Sequence, residues 1–249
     1  MKKIFYKIKP ASGIANALHL SLNTFLPIAI LFLIRLNFEY AAVLLIGLSK
    51  WRMFSVKPRY WVAVVRSNLV DIFIGLSTVA FMSGSNRLIT QITWMIFYII
   101  WLVWLKQKSN PVAVMSQALV SQALTLVAFY RSFPSASLIT VVLVTWIICY
   151  AASRHFLGAF DEPLTKVMTE IWAWFGGVMA WILGHWVIQY FQFPQIAIIL
   201  TILGYGFATL YYLDHNERLK PVLKNQLIGL MSAVVFIVII VGDWQDKSI

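Results

Sequence analysis

Apolar segments of about twenty residues recur along this 249-residue chain, and the polar connections between them run to little more than a dozen residues at most. A chain divided in this way has no stretch polar enough to form a water-soluble domain. Its apolar fraction is 61% and its charged fraction 12%, with a mean hydropathy of +0.80. A single core cannot enclose so much apolar surface. The expected fold class is all-α: one polytopic bundle of transmembrane helices over 1–249.

Hydropathy and helix breakers place nine spans near 17–34, 36–49, 60–82, 88–105, 111–130, 135–152, 168–191, 194–213 and 222–242. Pro111, Pro194 and Pro221 fall at or just before a first helical turn, where a missing N–H costs nothing. Pro27 lies inside the first span and is expected to kink it. The segment 36–49 is short for a hydrocarbon core of roughly 30 Å, so eight spans are the fallback.

Charge favours nine. With the N-terminus in the cytoplasm and the C-terminus outside, segments 1–9, 50–59, 106–108, 154–166 and 218–224 face the cytoplasm and hold fifteen of the twenty Lys and Arg residues. The formal net charge of +11 then reports topology, not contact with nucleic acid. The expected location is a plasma or inner membrane. The N-terminal Lys2, Lys3 and Lys7 resemble a signal-peptide start, but Lys7, Lys9 and Pro10 interrupt any apolar region, so the segment reads as retained.

Ionisable residues inside a bilayer are expensive and rare, which makes each a candidate for function. Asp71 is expected near the midplane, level with Ser121 and Gln122. It is either a proton- or cation-coupling site or a neutral acid hydrogen-bonded to those side chains. Arg66 and Glu170 share a layer in the cytoplasmic third, where either they pair or Arg66 snorkels alone to the cytoplasmic headgroups.

The seventh span carries Glu170, Trp174, Gly177, Trp181 and His185 on one stripe at 100° per residue, beside a seam of Ala173, Ala180 and Gly184. Small residues allow close helix approach in lipid, so the stripe is expected to face the protein interior, as a packing face or a pocket wall. On the cytoplasmic side, the loop 154–163 offers His155, Asp161 and Glu162, and His215 follows the eighth span. These are candidates for acid–base work on a lipid.

No HExxH, GxSxG or Gly-rich phosphate motif accompanies them. His185 has no second imidazole at its depth to make a bis-His haem site, no lysine lies deep enough for a retinal Schiff base, and the single Cys149 excludes a CxxC site. No metal site is expected, and no cofactor is identified.

Three function classes follow. The first is a non-catalytic membrane subunit or scaffold of a larger assembly. The second is a small transporter or channel using Asp71, Arg66 and Glu170. The third is a lipid-handling enzyme with its site on the cytoplasmic face. The lack of a dense polar pathway and of any catalytic motif favours the first. Its expected partners are the lipid bilayer and other membrane subunits.

Overall fold

The computed structural model describes residues 13–160, 162–190 and 193–246. The N-terminal basic segment and Asp161 lie outside the described residues, and His19 is described only as a helical position. Helices make up most of the described residues. Among the described residues there are nine α-helices: α1 (Ile14–Arg35), α2 (Glu39–Ser49), α3 (Trp61–Ser83), α4 (Leu88–Ile100), α5 (Pro111–Ser132), α6 (Leu138–Gly158), α7 (Thr165–Leu183), α8 (Gln195–His215) and α9 (Pro221–Val241).

Among the described residues six helices are long and apolar enough to cross a membrane: α3, α4 with its final turn, α5, α6, α8 and α9. These helices fit an integral membrane protein. α7 has nineteen residues, but Lys166, Glu170 and its tryptophans dilute its hydropathy.

The helix ends follow from local chemistry. Pro111 and Pro221 open α5 and α9. Asn110 caps α5 by accepting from the Ala113 N–H at 3.2 Å, and Ser137 caps α6 by accepting from the Thr140 N–H at 3.3 Å. Asn37 and Glu217 take left-handed φ values of 62° and 56° just past α1 and α8. Around each, the paired backbone bonds of a Schellman motif close the helix: Phe38 to Leu33 and Asn37 to Ile34, then Arg218 to Leu213 and Glu217 to Asp214. Both turns send the next helix back antiparallel.

Three elements depart from the expected spans. α2 holds eleven residues, about 16 Å, and gives way at Lys50 to two 3-10 turns, Trp51–Ser55 and Pro58–Tyr60. α6 runs on to Gly158, so Arg154, His155 and Phe156 are helical and the connection begins only at Ala159. α7 stops at Leu183. Gly184 caps it, and the β-branched and aromatic run Trp186–Tyr190 forms a strand, β1. β1 pairs antiparallel with β2 (Phe193–Pro194) and with β3 (Asp243–Asp246), tying the segment after α9 to the α7–α8 connection.

One core joins α1, α2, α3 and α4 around Ile30, Ile46, Ile74, Tyr98 and Trp101. A second joins α5, α6, α7 and α8 around Leu126, Ile148, Cys149, Ala180 and Leu200. α3 and α5 connect the halves, with Ser121 Oγ donating to the Val70 carbonyl at 3.2 Å and Ser77 Oγ to Thr125 Oγ1 at 3.2 Å. α6 and α7 pack closely along their length, whereas α7 and α8 touch sparsely and α9 leans on α8.

Candidate functional site

Two polar clusters and one cavity gather the residues that carry chemistry. The first cluster is built on Asp71, midway along α3 and level with Ser121 of α5, whose hydroxyl binds the neighbouring Val70 carbonyl. Its carboxylate does not meet Ser121 or Gln122. Lys50 Nζ lies 3.3 Å and Lys106 Nζ 2.5 Å from Oδ2, and Trp101 Nε1 donates to Oδ1 at 3.2 Å. The lysines come from the ends of α2 and α4, which stop where Asp71 sits. Asp71 is ten residues, about 15 Å, beyond the start of α3.

The last turn of α4 explains the convergence. Trp101–Leu105 is a π turn, with the Lys106 N–H bonded to the Trp101 carbonyl at 2.8 Å. At α-helical spacing these two side chains would point about 140° apart. The wider turn brings both to one carboxylate.

Burial pulls the Lys50 ammonium down to about 8 against the attraction of Asp71, and the neighbouring Lys106 ammonium lowers it further. For Lys106, burial acts downward, but the charge and hydrogen bond of Asp71 outweigh it and raise the group above its ordinary value.

Beside this cluster, Gln117 Nε2 donates to the carbonyls of Leu105 at 2.5 Å and Lys108 at 3.0 Å, fixing the chain after the π turn. Its Oε1 lies 3.0 Å from His155 Nε2, so the tautomer protonated at Nε2 donates to it. His155 is thereby held toward α5 and away from Glu162.

Glu162 and His215 belong to the second cluster. Tyr211 Oη donates to Glu162 Oε2 at 2.5 Å, and the Tyr211 ring stacks on His215 with centroids 5.9 Å apart. Phe160 packs edge-on against both rings, with centroids 5.2 Å from each. Tyr211 joins α8 to the α6–α7 connection.

Above Tyr211 lies a cavity of about 410 Å³ between α5, α6, α7 and α8. From α7 it is lined by Met168, Ile171, Trp172 and Phe175, and from α8 by Gly204, Phe207, Ala208 and Tyr211. Both sets follow i, i+3, i+4, i+7 spacing, so one stripe of each helix faces the other. Ala118, Leu119 and Gln122 of α5 and Ala152, Ser153, Phe156 and Leu157 of α6 complete the wall. Gln122 donates to the Leu200 carbonyl at 3.0 Å and accepts from Trp172 Nε1 at 3.1 Å, which leaves the surrounding wall apolar. Ile171 and Phe207 line the cavity and are also 64% and 51% exposed, so its mouth opens sideways where α7 and α8 diverge.

The expected inward stripe of α7 faces the other way. Trp174 and Trp181 are 62% and 56% exposed, and Glu170 and His185 are exposed too. Of the five residues only Gly177 is buried, against Trp146. The seam does what small residues do: Ala173 and Ala180 are fully buried, a Cβ on Gly184 would lie 2.8 Å from Leu138 Cδ1 of α6, and one on Gly176, which the seam also includes, would lie 2.5 Å from Cys149 Sγ. Because the seam takes the face toward α6, the polar-aromatic stripe beside it turns outward.

Arg66 does not pair with Glu170 among the described residues. Its guanidinium lies over the Tyr150 ring, 5.8 Å from the centroid. Among the described residues no three His, Cys, Asp or Glu side chains converge as metal ligands. Sequence reasoning missed Tyr211, Trp172 and the two lysines. The matched stripes of α7 and α8 were the available signal for the first two. No family model matches this chain, and no curated protein or solved structure matches it.

Proposed function

We propose that the chain is a multi-pass membrane protein that binds a single-chain amphiphile, such as a fatty acyl or prenyl lipid, in the α5–α8 cavity. The observation that carries this reading is the cavity itself. At about 410 Å³ it falls within the roughly 300–1,000 Å³ of small-molecule sites. It has an apolar wall, a sideways mouth and a polar end at Tyr211, whose hydroxyl donates to Glu162 and whose ring stacks on His215. A lipid enters laterally, lays its chain along Trp172, Phe175 and Phe207, and sets its head beside Tyr211. The Glu162 carboxylate there favours a neutral, hydrogen-donating or cationic head over an anionic one.

In this reading the chain crosses nine times, N-terminus inside and C-terminus outside, in a plasma or inner membrane. The eleven-residue α2 makes the second, short crossing and ends at the cytoplasmic face. Basic segments 50–59, 106–108 and 218–224 then share the cytoplasmic face with the polar end of the cavity.

A second reading, a non-catalytic subunit or scaffold, is favoured by α9, which buries only Met231 and Val238. Transport through Asp71 is less supported, since two ammonium groups already occupy its carboxylate.

Native mass spectrometry after gentle extraction separates the readings. The cavity reading predicts one stoichiometric amphiphile on the wild type and its absence from Ala208→Phe, which fills the wall. Co-release of other polypeptides, with no bound amphiphile in either form, supports the subunit instead.

A further inference from the structure

We infer that the Lys50–Asp71–Lys106 cluster is an anion site that takes a phosphate-type oxyanion. Two ammonium groups converge on the single carboxylate oxygen Oδ2, while Oδ1 is already taken by Trp101. Asp71 therefore neutralises one lysine and leaves the cluster with one positive charge in excess. Among the described residues no second carboxylate pairs with either lysine.

The excess charge is poorly hydrated. The Lys50 side chain is 10% exposed and that of Asp71 13%. Removing a charge from water without a partner is costly, and each ammonium has three donors, most of which Asp71 leaves unused. A second, independent observation points the same way. Tyr98 is fully buried and its hydroxyl has no hydrogen-bond partner among the described residues. It abuts Gly75, one helical turn from Asp71 on the same face of α3.

An oxyanion with several acceptor atoms satisfies what a chloride-sized sphere cannot: two ammonium groups and a hydroxyl set apart. Lys106, 38% exposed, forms the open edge through which it enters. Free phosphate and the phosphodiester of a lipid headgroup carry the same chemistry.

The test uses the full chain in maltoside micelles, which carry no phosphate. One arm titrates inorganic phosphate and reads its binding by phosphorus NMR. The other adds phosphatidylglycerol and an equal amount of phosphatidylcholine and reads which lipid native mass spectrometry retains. Lys106→Gln is expected to weaken binding by about tenfold or more, the loss of one charge-assisted contact. Asp71→Asn is expected to tighten it, because the competing carboxylate is gone. Lys224→Gln, in the first turn of α9, is expected to change nothing.

A response to free phosphate assigns a soluble anion, and selective phosphatidylglycerol retention without that response assigns a headgroup. Binding in neither arm overturns the proposal, as does equal weakening by Lys106→Gln and Lys224→Gln. Weakening by a folded Asp71→Asn also overturns it. If Asp71→Asn does not fold, Lys50→Gln takes its place and is expected to weaken binding as Lys106→Gln does. An unchanged affinity there counts against the site.

Discussion

Trp101 and Lys106, five residues apart across the π turn that ends α4, bind different oxygens of the Asp71 carboxylate. Trp101 Nε1 lies 3.2 Å from Oδ1 and Lys106 Nζ 2.5 Å from Oδ2. The π turn thus closes α4 onto the middle of α3. Trp101→Phe keeps the buried ring and removes the donor. It is expected to cost about 1.5–3 kcal/mol, the range for a hydrogen bond to a charged group. Trp104→Phe, on a ring that is 58% exposed, is expected to cost far less. Equilibrium unfolding of the two variants in mixed micelles compares them.

Lys50 gives the cluster a pH signature. Its folded-state value is about 8 against an ordinary 10.5, so between these two pH values the unfolded chain holds a proton that the folded chain has released. Stability from Lys50 therefore rises with pH across that window and is flat below it. Lys106, raised, acts oppositely, and its contribution is lost only above 10.5. The difference in stability between wild type and Lys50→Met is expected to shift toward the wild type from pH 8 to 10. A difference that stays constant over that range contradicts this assignment.

The α6–α7 seam depends on glycine at position 176. A Cβ there would sit 2.5 Å from Cys149 Sγ and 3.1 Å from its Cβ, so Gly176→Ala forces the helices apart. A loss of about 1–3 kcal/mol is expected, partly recovered when Cys149→Ala is added. Gly229→Ala, in α9 with nothing near the new methyl, is expected to be neutral or slightly stabilising. Thermal unfolding midpoints of the four proteins rank them.

Arg66 and Glu170 are expected to act independently, since Arg66 lies over Tyr150 and Glu170 is exposed. In a double-mutant cycle the losses from Arg66→Ala and Glu170→Ala should add within about 0.5 kcal/mol. A larger coupling between the two would restore the ion pair.

Helix positions were legible because hydropathy, proline and turn chemistry act locally. Pro111 and Pro221 mark their helix starts wherever those helices pack. The end of α7 was not legible from hydropathy, because the apolar Val187 and Ile188 follow the helix without a break by proline or charge. The chain leaves the helix after Gly184, and Trp186–Tyr190 pairs with β2 and with β3, a strand far away in sequence. The length of α6 was hidden in the opposite way: Arg154 and His155 look like loop residues, yet the Gln117 contact receives His155 within the helix.

The sites were legible in proportion to how locally they form. Asp71 stood out as a carboxylate inside a span, and its level beside Ser121 followed from counting residues. Its lysine partners did not, since they depend on how the end of α2 packs onto α3 and on a π turn that no α-helical wheel represents. On α7 the wheel separated the faces but not their directions. Chemistry-bearing residues drew attention to Trp174 and His185, while the cavity is lined by the plainer stripe of Met168, Ile171, Trp172 and Phe175.

The most direct test of the account is photolabelling in native membranes with a long-chain alcohol bearing a diazirine in its chain, followed by peptide mapping. The cavity reading predicts labels concentrated on 168–175 of α7 and 204–211 of α8. They should be displaced by excess unlabelled alcohol and lost in Ala208→Phe. Labels spread evenly over the exposed faces of α7 and α9, with no displacement, would contradict it.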